Sequence, residues 1–599
     1  MAGKARPGGA RPGGGGPGEA RPDESRPDES LAARLARAEA VPSRTIPQVL
    51  ADAAARDPDG VWIRSDEGTL SFAGALGQVT VAACCLRDAG VGHGDLVMVT
   101  ARTTPEYLIC WLALTALGAV VVSVNPRSAP AELAGLAQQT RPRALVTDAG
   151  LTALVTQARR AGLLPLGVLD AGELAGDWAR AGSPEAASGE RAPHRGTPVR
   201  SEAAPARGGP VRSELATGVP GAAVSPGDLA VLIPTSGTTG RSKLVMQTHR
   251  AYVLAGEGFP YWMGLTAQDR LMTSLPLFHI NAPAYSVMGS LACGAGLILL
   301  PRFSAGGFLD AARRHGATEF NAIGAMLEIL MRQPPQPGDA GTPLRLCYTG
   351  PAPARERQEE MERRLGLRIV VGYAMSESPY GLIWPDGTRP FGTLGAVRQH
   401  PVHGVINHAR VVDDADREVG PGGTGELLLR NPVLTRGYYG MPDETARAFT
   451  RDGWLRTGDL VTADPGGMYT FVARQKEVLR RRGENLSPAE VEEILEDHPD
   501  VLECAVVGVP SELSEDEVKA FVVPAPGRQP DFAALRAHTA ARLAAFKVPR
   551  YWQLIDELPR TPTARVAKHR LPGGHPPGEY DAESEPGPSP PPPRSGYPA

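Results

Sequence analysis

The sequence predicts an α/β protein with a large N-terminal part on parallel sheets and a small α+β domain at the C-terminus. Three observations carry this. Helical patterns alternate with short Val/Leu-rich runs, "DLVMVT" (95–100), "AVVVSV" (119–124), "RALVTD" (143–148), "LAVLIP" (229–234) and "GLILLP" (296–301). Helix-to-buried-strand alternation marks parallel sheets. The stretch 403–430 instead alternates strand-like runs with turns and reads as an antiparallel β unit. The last hundred residues give "PAEVEEILEDH", "VLECAVVGV", "EVKAFVVP" and a helix around 530–545, a small domain of their own.

Taken in order, the most apolar stretch is "LICWLALTALGAVVVSV", Leu108 to Val124. It is short of the roughly 20 residues a membrane span needs, and Gly118 divides it. A buried helix, a glycine turn and a buried strand fit better, so no membrane span is expected. "GPGGTG" (420–425) matches Gly-x-Gly-x-x-Gly but precedes the strand-like "ELLLR" rather than a helix, so it reads as a turn. His400, His403 and His408 cluster in "HPVHGVINH", where Pro401 and Gly404 prevent one helical face; loop or rim placement is expected over a metal site.

Three segments have compositions that bury too little apolar surface to offset chain entropy. They are 1–30 with its doubled "RPDES", about 181–227 with "PVRSE" twice, and 572–599 ending in "PSPPPPRSGYPA". The expected organisation is a tail over 1–30, a first domain over 31–474 interrupted by the insertion, a second domain over 475–571 and a Pro-rich tail over 572–599.

The 599 residues are 42% hydrophobic and 21% charged, with net charge −4. No broad basic field attracts nucleic acid. Six cysteines (84, 85, 110, 293, 347, 504) show no CxxC spacing. That argues against a disulfide framework or zinc site and fits a reducing compartment, hence a cytoplasmic placement. The N-terminus has no apolar signal region.

The strongest local signal is "VLIPTSGTTGRSKLVMQTHR" (231–250). A buried strand leads into Thr235, Ser236, Gly237, Thr238, Thr239 and Gly240, with Lys243 following. Dense hydroxyls and glycine amides make a cradle for polyphosphate oxygens, and the lysine adds a cation. It is not a Walker A loop, because Ser242 stands five residues after Gly237 where that pattern needs glycine.

This run resembles the phosphate-binding loop of the adenylate-forming superfamily, which holds acyl-CoA synthetases, luciferases and peptide adenylation domains. The resemblance runs in order from about residue 45 to 571. "GYAMSE" (372–377) looks like the family's Tyr-Gly-x-Thr-Glu motif, with Ala374 and Ser376 as departures. "WLRTGD" (454–459) looks like its ribose-binding segment, and "ARQKEVLRRRGENLSPAEVEEIL" (473–495) like the hinge and start of its C-terminal domain. The resemblance implies a β-barrel-like unit in the large domain and a mobile small one. It implies that Glu377 holds Mg²⁺, a hard-oxygen role, that Tyr373 packs on the adenine, that Ser376 takes part in nucleotide binding, and that Asp459 and Arg474 meet the ribose. Lys476 takes the hinge position, about which the small domain turns between half-reactions.

"LPLFHINAPAY" (275–285) resembles the segment beside the acyl site, where His279 lines the carboxylate and thiol-entry region or, alternatively, packs in the core. Asn281, Ala282, Gly324 and Ala325 would shape the substrate pocket. "RGEN" (482–485) is similar to the Gly-Gly-Glu-Asn of CoA ligases beside the pantetheine tunnel, with Arg482 in place of the first glycine and Gly483 and Glu484 retained. Arg480 to Arg482 either meet CoA phosphates or form a solvated turn.

The family's final motif, Pro-x-Thr-x-x-Gly-Lys, is altered in "LPRTPTARVAKHRL" (558–571). Arg565 stands where the lysine belongs, and Lys568 follows three residues on. Arg565 substitutes, or Lys568 does, or the adenylation step differs. Within the superfamily the C-terminal text is most similar to carnitine/crotonobetaine-type CoA ligases. The implied activity is ATP- and Mg²⁺-dependent activation of a small-molecule acid as acyl-AMP, with transfer to CoA. Two alternatives stay open: activation of nitrite for diazotisation of an aryl amine without CoA, and a catalytically degenerate nucleotide-binding homologue. The acid and the oligomeric state are not set by the sequence.

Overall fold

The computed structural model describes residues 41–152, 155–156, 159, 167–176, 178, 224–235, 242–350, 352–353, 355–413, 415–474, 479–486, 488–511, 515–559, 566, 568, 571–576 and 578–584. The tail over 1–30 and most of the insertion lie outside them.

Each Val/Leu-rich run is a strand, and most pair in parallel. A six-stranded sheet holds Leu96–Thr100, Val120–Ser123, Ala144–Thr147 and Leu229–Thr235, the last paired antiparallel with Lys243–Thr248. A nine-stranded sheet contains Arg270–Thr273, Gly296–Leu299, Glu319–Asn321, Leu346–Thr349 and Arg368–Met375 in mutually parallel pairing. The stretch 108–124 is the fully buried C-terminal part of the helix Pro105–Ala116, followed by the buried strand Val120–Ser123. Its hydrophobicity serves the core between the two sheets, where Trp111 packs edge-on to Tyr252 at 5.4 Å. Among the described residues no helix is long and apolar enough to cross a membrane.

The antiparallel unit is an open four-stranded meander, His408–Val412, Thr424–Arg430, Leu455–Ala463 and Tyr469–Arg474. "GPGGTG" is the turn leading into its second strand. The C-terminal domain packs helices Pro488–Glu496 and Phe532–Ala540 on the long hairpin Val501–Pro510 and Asp516–Pro524.

Two boundaries are corrected. Residues 224–227 were assigned to the insertion, yet Ser225 and Asp228 close a turn there, Asp228 N donating to Ser225 O at 3.0 Å. Residues 572–576 and 578–584, expected in the tail, are part of the folded domain. Tyr580–Asp581 adds an antiparallel strand to Tyr551–Leu554, and Arg550 grips Asp581 through two bonds of 2.9 Å. Buried Lys519 also pairs with Glu579 at 2.6 Å. Composition misled here because a few paired groups hold a Pro/Gly-rich segment down.

His400 is buried, with Nε2 at 3.3 Å from Glu257 and Nδ1 accepting from the backbone of Val402 and His403. This is a turn-organising histidine. No group of three metal-ligating side chains occurs among the described residues. All six cysteines are free thiols.

Candidate active site

A cleft of about 2180 Å³ opens where parallel strands end, the usual ligand position in open α/β sheets. Asn125, Ser274, Pro301, Ala322 and Gly350 line it, each within two residues of the carboxyl end of a parallel strand. The small domain covers the cleft and contributes Arg480, Arg482, Gly483, Glu484 and Lys547.

At one end lie the groups expected at the nucleotide. Thr235 and Lys243 face each other as the last paired residues of two antiparallel strands. Ser236, Gly237, Thr238, Thr239 and Gly240 lie outside the described residues. Lys243 lines the cleft, ion-paired to Glu444 and 4.7 Å from the Tyr438 ring centre. Tyr438 Oη donates to Glu377 Oε1 at 2.9 Å. Burial, with Glu377 beside it, pushes the Tyr438 phenol far up, so it stays a proton donor. The Ser376 carbonyl accepts from Gln247 Nε2 at 2.5 Å, which ties this segment to the strand beyond the loop. Tyr373 Oη donates to Asp459 Oδ2 at 2.6 Å. Arg474 stands opposite Asp459 in the strand register. Glu377 is 8% exposed, and its carboxylate is of the hard-oxygen type that suits Mg²⁺.

At the other end the small domain docks through one hairpin. Leu479–Arg481 and Glu484–Leu486 pair antiparallel, joined by Arg482 and Gly483 alone. Their φ angles are +54° and +78°, a two-residue turn with both central residues left-handed. A Cβ on Gly483 would lie 2.2 Å from Ile323 Cδ1, so any larger residue in this left-handed turn would force the Ile323 side chain aside. Glu484 then reaches across. His279 Nε2 lies 2.7 Å from its Oε2, Arg127 Nη2 donates to Oε1 at 2.7 Å, and Asn125 Nδ2 does so at 3.3 Å. Burial alone would raise the Glu484 carboxyl; His279 and Arg127 outweigh it and hold it below the ordinary glutamate value. His279 therefore lines the cleft, and the core-packed alternative is set aside.

Some expectations are corrected. Lys568 does not line the cleft; its ammonium pairs with Glu492 at 2.7 Å on the small domain itself. Arg565 and Lys476 lie outside the described residues. Arg481 cannot meet a phosphate: it is buried, bonded to the Phe546 and Val548 carbonyls and to Glu517 at 2.7 Å. Ala282 packs in the core rather than on the pocket, whose walls come instead from Asn281, Ile323, Met326 and Tyr348.

Sequence reading missed Lys547, which lines the cleft and bridges Glu132 of the large domain at 2.9 Å and Glu490 of the small one at 2.8 Å. Burial favours the neutral amine, but Glu490 and Glu132 prevail and raise its pKa. "AFKVPR" carries no pattern that marks this lysine, because both partners are distant in sequence. Arg127 and Tyr438 were missed for the same reason.

The AMP-binding enzyme family model matches residues 50–439, and that of the AMP-binding enzyme C-terminal domain matches 490–565. A crotonobetaine/carnitine–CoA ligase from Salmonella agona is 29% identical over 523 residues, covering 86% of this chain and 96% of the relative. The amide bond synthetase McbA from Marinactinospora thermotolerans superposes with a TM-score of 0.72 at 25% identity, covering 88% of this chain and 99% of that one. A double mutant of o-succinylbenzoate CoA synthetase from Bacillus subtilis superposes with a TM-score of 0.73 at 23% identity, covering 88% and 98%; that likeness carries the fold alone.

Proposed function

The chain belongs to the AMP-binding enzyme family, and on that premise we propose that it is an ATP-dependent, AMP-forming acid–CoA ligase working in the cytoplasm. The observation that carries the reading is the hairpin Arg482–Glu484 seated on His279 within the same cleft that Lys243, Glu377 and Asp459 line.

In this reading an acid carboxylate oxygen attacks the α-phosphorus of ATP. A P–O bond forms, the α–β P–O bond breaks, and pyrophosphate leaves. The thiol of CoA then gives up its proton, its sulfur bonds to the acyl carbon, and the C–O bond to AMP breaks. Two anions must approach in the first step, so oriented cations and donors stabilise the charge that develops. Lys243 and the 235–240 loop are suited to the phosphates, and Asp459 and Tyr373 to the nucleoside. Glu377 would hold Mg²⁺, which would supply charge neutralisation at the phosphates. Lys568, or Arg565, would serve the first step only after the small domain turns, since Lys568 is held by Glu492. His279 and Glu484 suit the second step, being already together in the cleft.

Incubation with ATP, a panel of acids and CoA tests this through AMP release and thioester mass. CoA-dependent AMP with a thioester product is expected; AMP release indifferent to CoA, without thioester, overturns the ligase form. A second reading keeps the adenylate but passes it to an amine. The likeness to an amide bond synthetase favours it, as does the loss of Arg481 from the basic surface that would meet CoA. Amine-dependent AMP release distinguishes it, and a nitrite-plus-arylamine arm covers activation of a non-carboxylate oxyanion.

A further inference from the structure

The wall of the cleft beside Asn281 and Ile323 hides a charge. Arg398 is 1% exposed and has no carboxylate partner among the described residues. Its guanidinium donates to the Tyr285 hydroxyl at 2.9 Å, to the Tyr348 hydroxyl, and to the carbonyls of Leu382 and Pro379 at 3.0 and 3.2 Å. Three aromatic rings surround it: Trp262 at 4.6 Å, Tyr285 at 5.2 Å and Tyr348 at 5.6 Å from its central carbon. The hydrogen bonds are satisfied but the charge is not neutralised. A buried cation without a counter-ion projects its field through a poorly screening medium.

That field reaches the cleft. Tyr348 and Tyr285 both line it, and so does Gly372. A Cβ on Gly372 would meet Tyr348 Cε2 at 2.5 Å, its Oη at 2.7 Å and Arg398 Nη2 at 2.8 Å, so glycine here lets the Tyr348 ring and the cation come up against backbone that lines the cavity. Tyr285 gives its proton to Pro379 O at 2.7 Å. Tyr348 accepts from Arg398 beside the hydroxyl of Tyr285, and a phenol bonded to a guanidinium is a strengthened donor. The adjoining wall of Asn281, Ile323 and Met326 carries no carboxylate. Clusters of aromatic rings recognise quaternary ammonium groups; here the cluster is filled by the protein's own guanidinium.

We infer that this cleft takes acids whose far end is an uncharged or anionic hydrogen-bond acceptor, received by the Tyr348 hydroxyl, and rejects acids ending in a quaternary ammonium. This rests on the acid-activating reading above and adds the class of acid. Tyr348 is thereby a specificity-determining residue, and Arg398 positions and polarises it.

The test uses three non-reactive acyl-adenylate mimics, the sulfamoyl-adenosine conjugates of 5-oxohexanoic, 5,5-dimethylhexanoic and 4-(trimethylammonio)butanoic acids. They match in length and differ in ending in a ketone, a tert-butyl group or its cationic isostere. Calorimetric binding to the full chain is expected to rank ketone over tert-butyl over trimethylammonium, each step about tenfold, the scale of one hydrogen bond or one unfavourable charge. Tyr348→Phe is expected to erase most of the ketone advantage while moving tert-butyl binding by about twofold or less. Arg398→Gln, where it folds, is expected to narrow the gap between tert-butyl and trimethylammonium. A trimethylammonium conjugate binding as tightly as the tert-butyl one overturns the inference, as does an unchanged ketone preference in Tyr348→Phe. Failure of all three to bind while ATP binds overturns the acid-activating reading itself and this inference with it.

Discussion

The small C-terminal domain has two faces in opposite situations. One face, bearing Gly483, Glu484 and Lys547, is docked into the cleft: Glu484 meets His279 and Arg127, and Lys547 meets Glu132. The other bears Lys568, whose ammonium is neutralised by Glu492 on its own domain, outside the cleft. Both carry the charged groups a catalytic role would need, yet only one reaches the site in this arrangement. A rigid domain that must offer both in turn has to release one set of ion pairs before presenting the other. The docked face is held by four polar contacts to Glu484 and Lys547 from the large domain. Glu484 and Lys547 are largely buried, so releasing these contacts leaves buried charges to be resolvated.

The largest effect is expected where both arrangements share machinery. Glu377→Gln should lower acid-dependent pyrophosphate exchange and thioester formation together, by roughly 10²–10³. A loss confined to one half-reaction would contradict a shared nucleotide face. Next comes the split between the two faces. Lys568→Ala should slow pyrophosphate exchange by about 10²-fold and spare transfer from a preformed acyl-adenylate. Glu484→Gln should do the reverse, by about tenfold, the scale of one charge-assisted hydrogen bond. If Lys568→Ala leaves exchange intact while Arg565→Ala abolishes it, the working cation is Arg565.

A pH titration probes the docked face by itself. The Glu484 carboxyl is depressed in the folded protein, so its contribution to docking is full above the ordinary glutamate range and is lost as pH falls through the depressed value. An interdomain distance reported by paired fluorophores should stay constant from neutral pH down to about pH 5 and lengthen below it. The lengthening should vanish in Glu484→Gln. A distance that changes identically in wild type and variant assigns the transition to other groups.

The smallest effect concerns the turn that carries the docked face. Arg482 holds a left-handed backbone at φ +54°, which costs a side-chain-bearing residue about 1 kcal/mol. Arg482→Gly removes that cost but also the half-exposed pair with Glu583 at 2.8 Å, itself worth roughly 0–1 kcal/mol. Melting should therefore shift upward by about 2 °C or less. A marked fall would show that Arg482 contributes to docking beyond the turn.

Much of the site was readable along the chain because its groups sit in local motifs. Thr235 and Lys243 are close in sequence and paired, Ser376 and Glu377 form one turn between two strands, and Gly483 and Glu484 share one hairpin. The strands were readable too, since a strand buried on both faces is apolar throughout. What could not be read were partners far apart in sequence. Arg480, Arg481 and Arg482 look equivalent in the sequence; one is buried under Phe546 and Val548, and its neighbour reaches out to Glu583. The segment 572–584 looked like tail because Pro and Gly dominate it, yet Glu579 and Asp581 anchor it to Lys519 and Arg550.

By itself the sequence determined the family, the parallel α/β architecture and the short motifs whose described residues line the cleft, because each depends on short-range pattern. Tertiary structure alone decided which lysine faces the cleft and which is neutralised outside it. It also decided that Arg398, unremarked in the sequence, lies buried behind Tyr348 and Gly372. Charge acts through space: a cation's meaning is set by the groups within a few ångströms of it, and in a fold those come from anywhere in the chain.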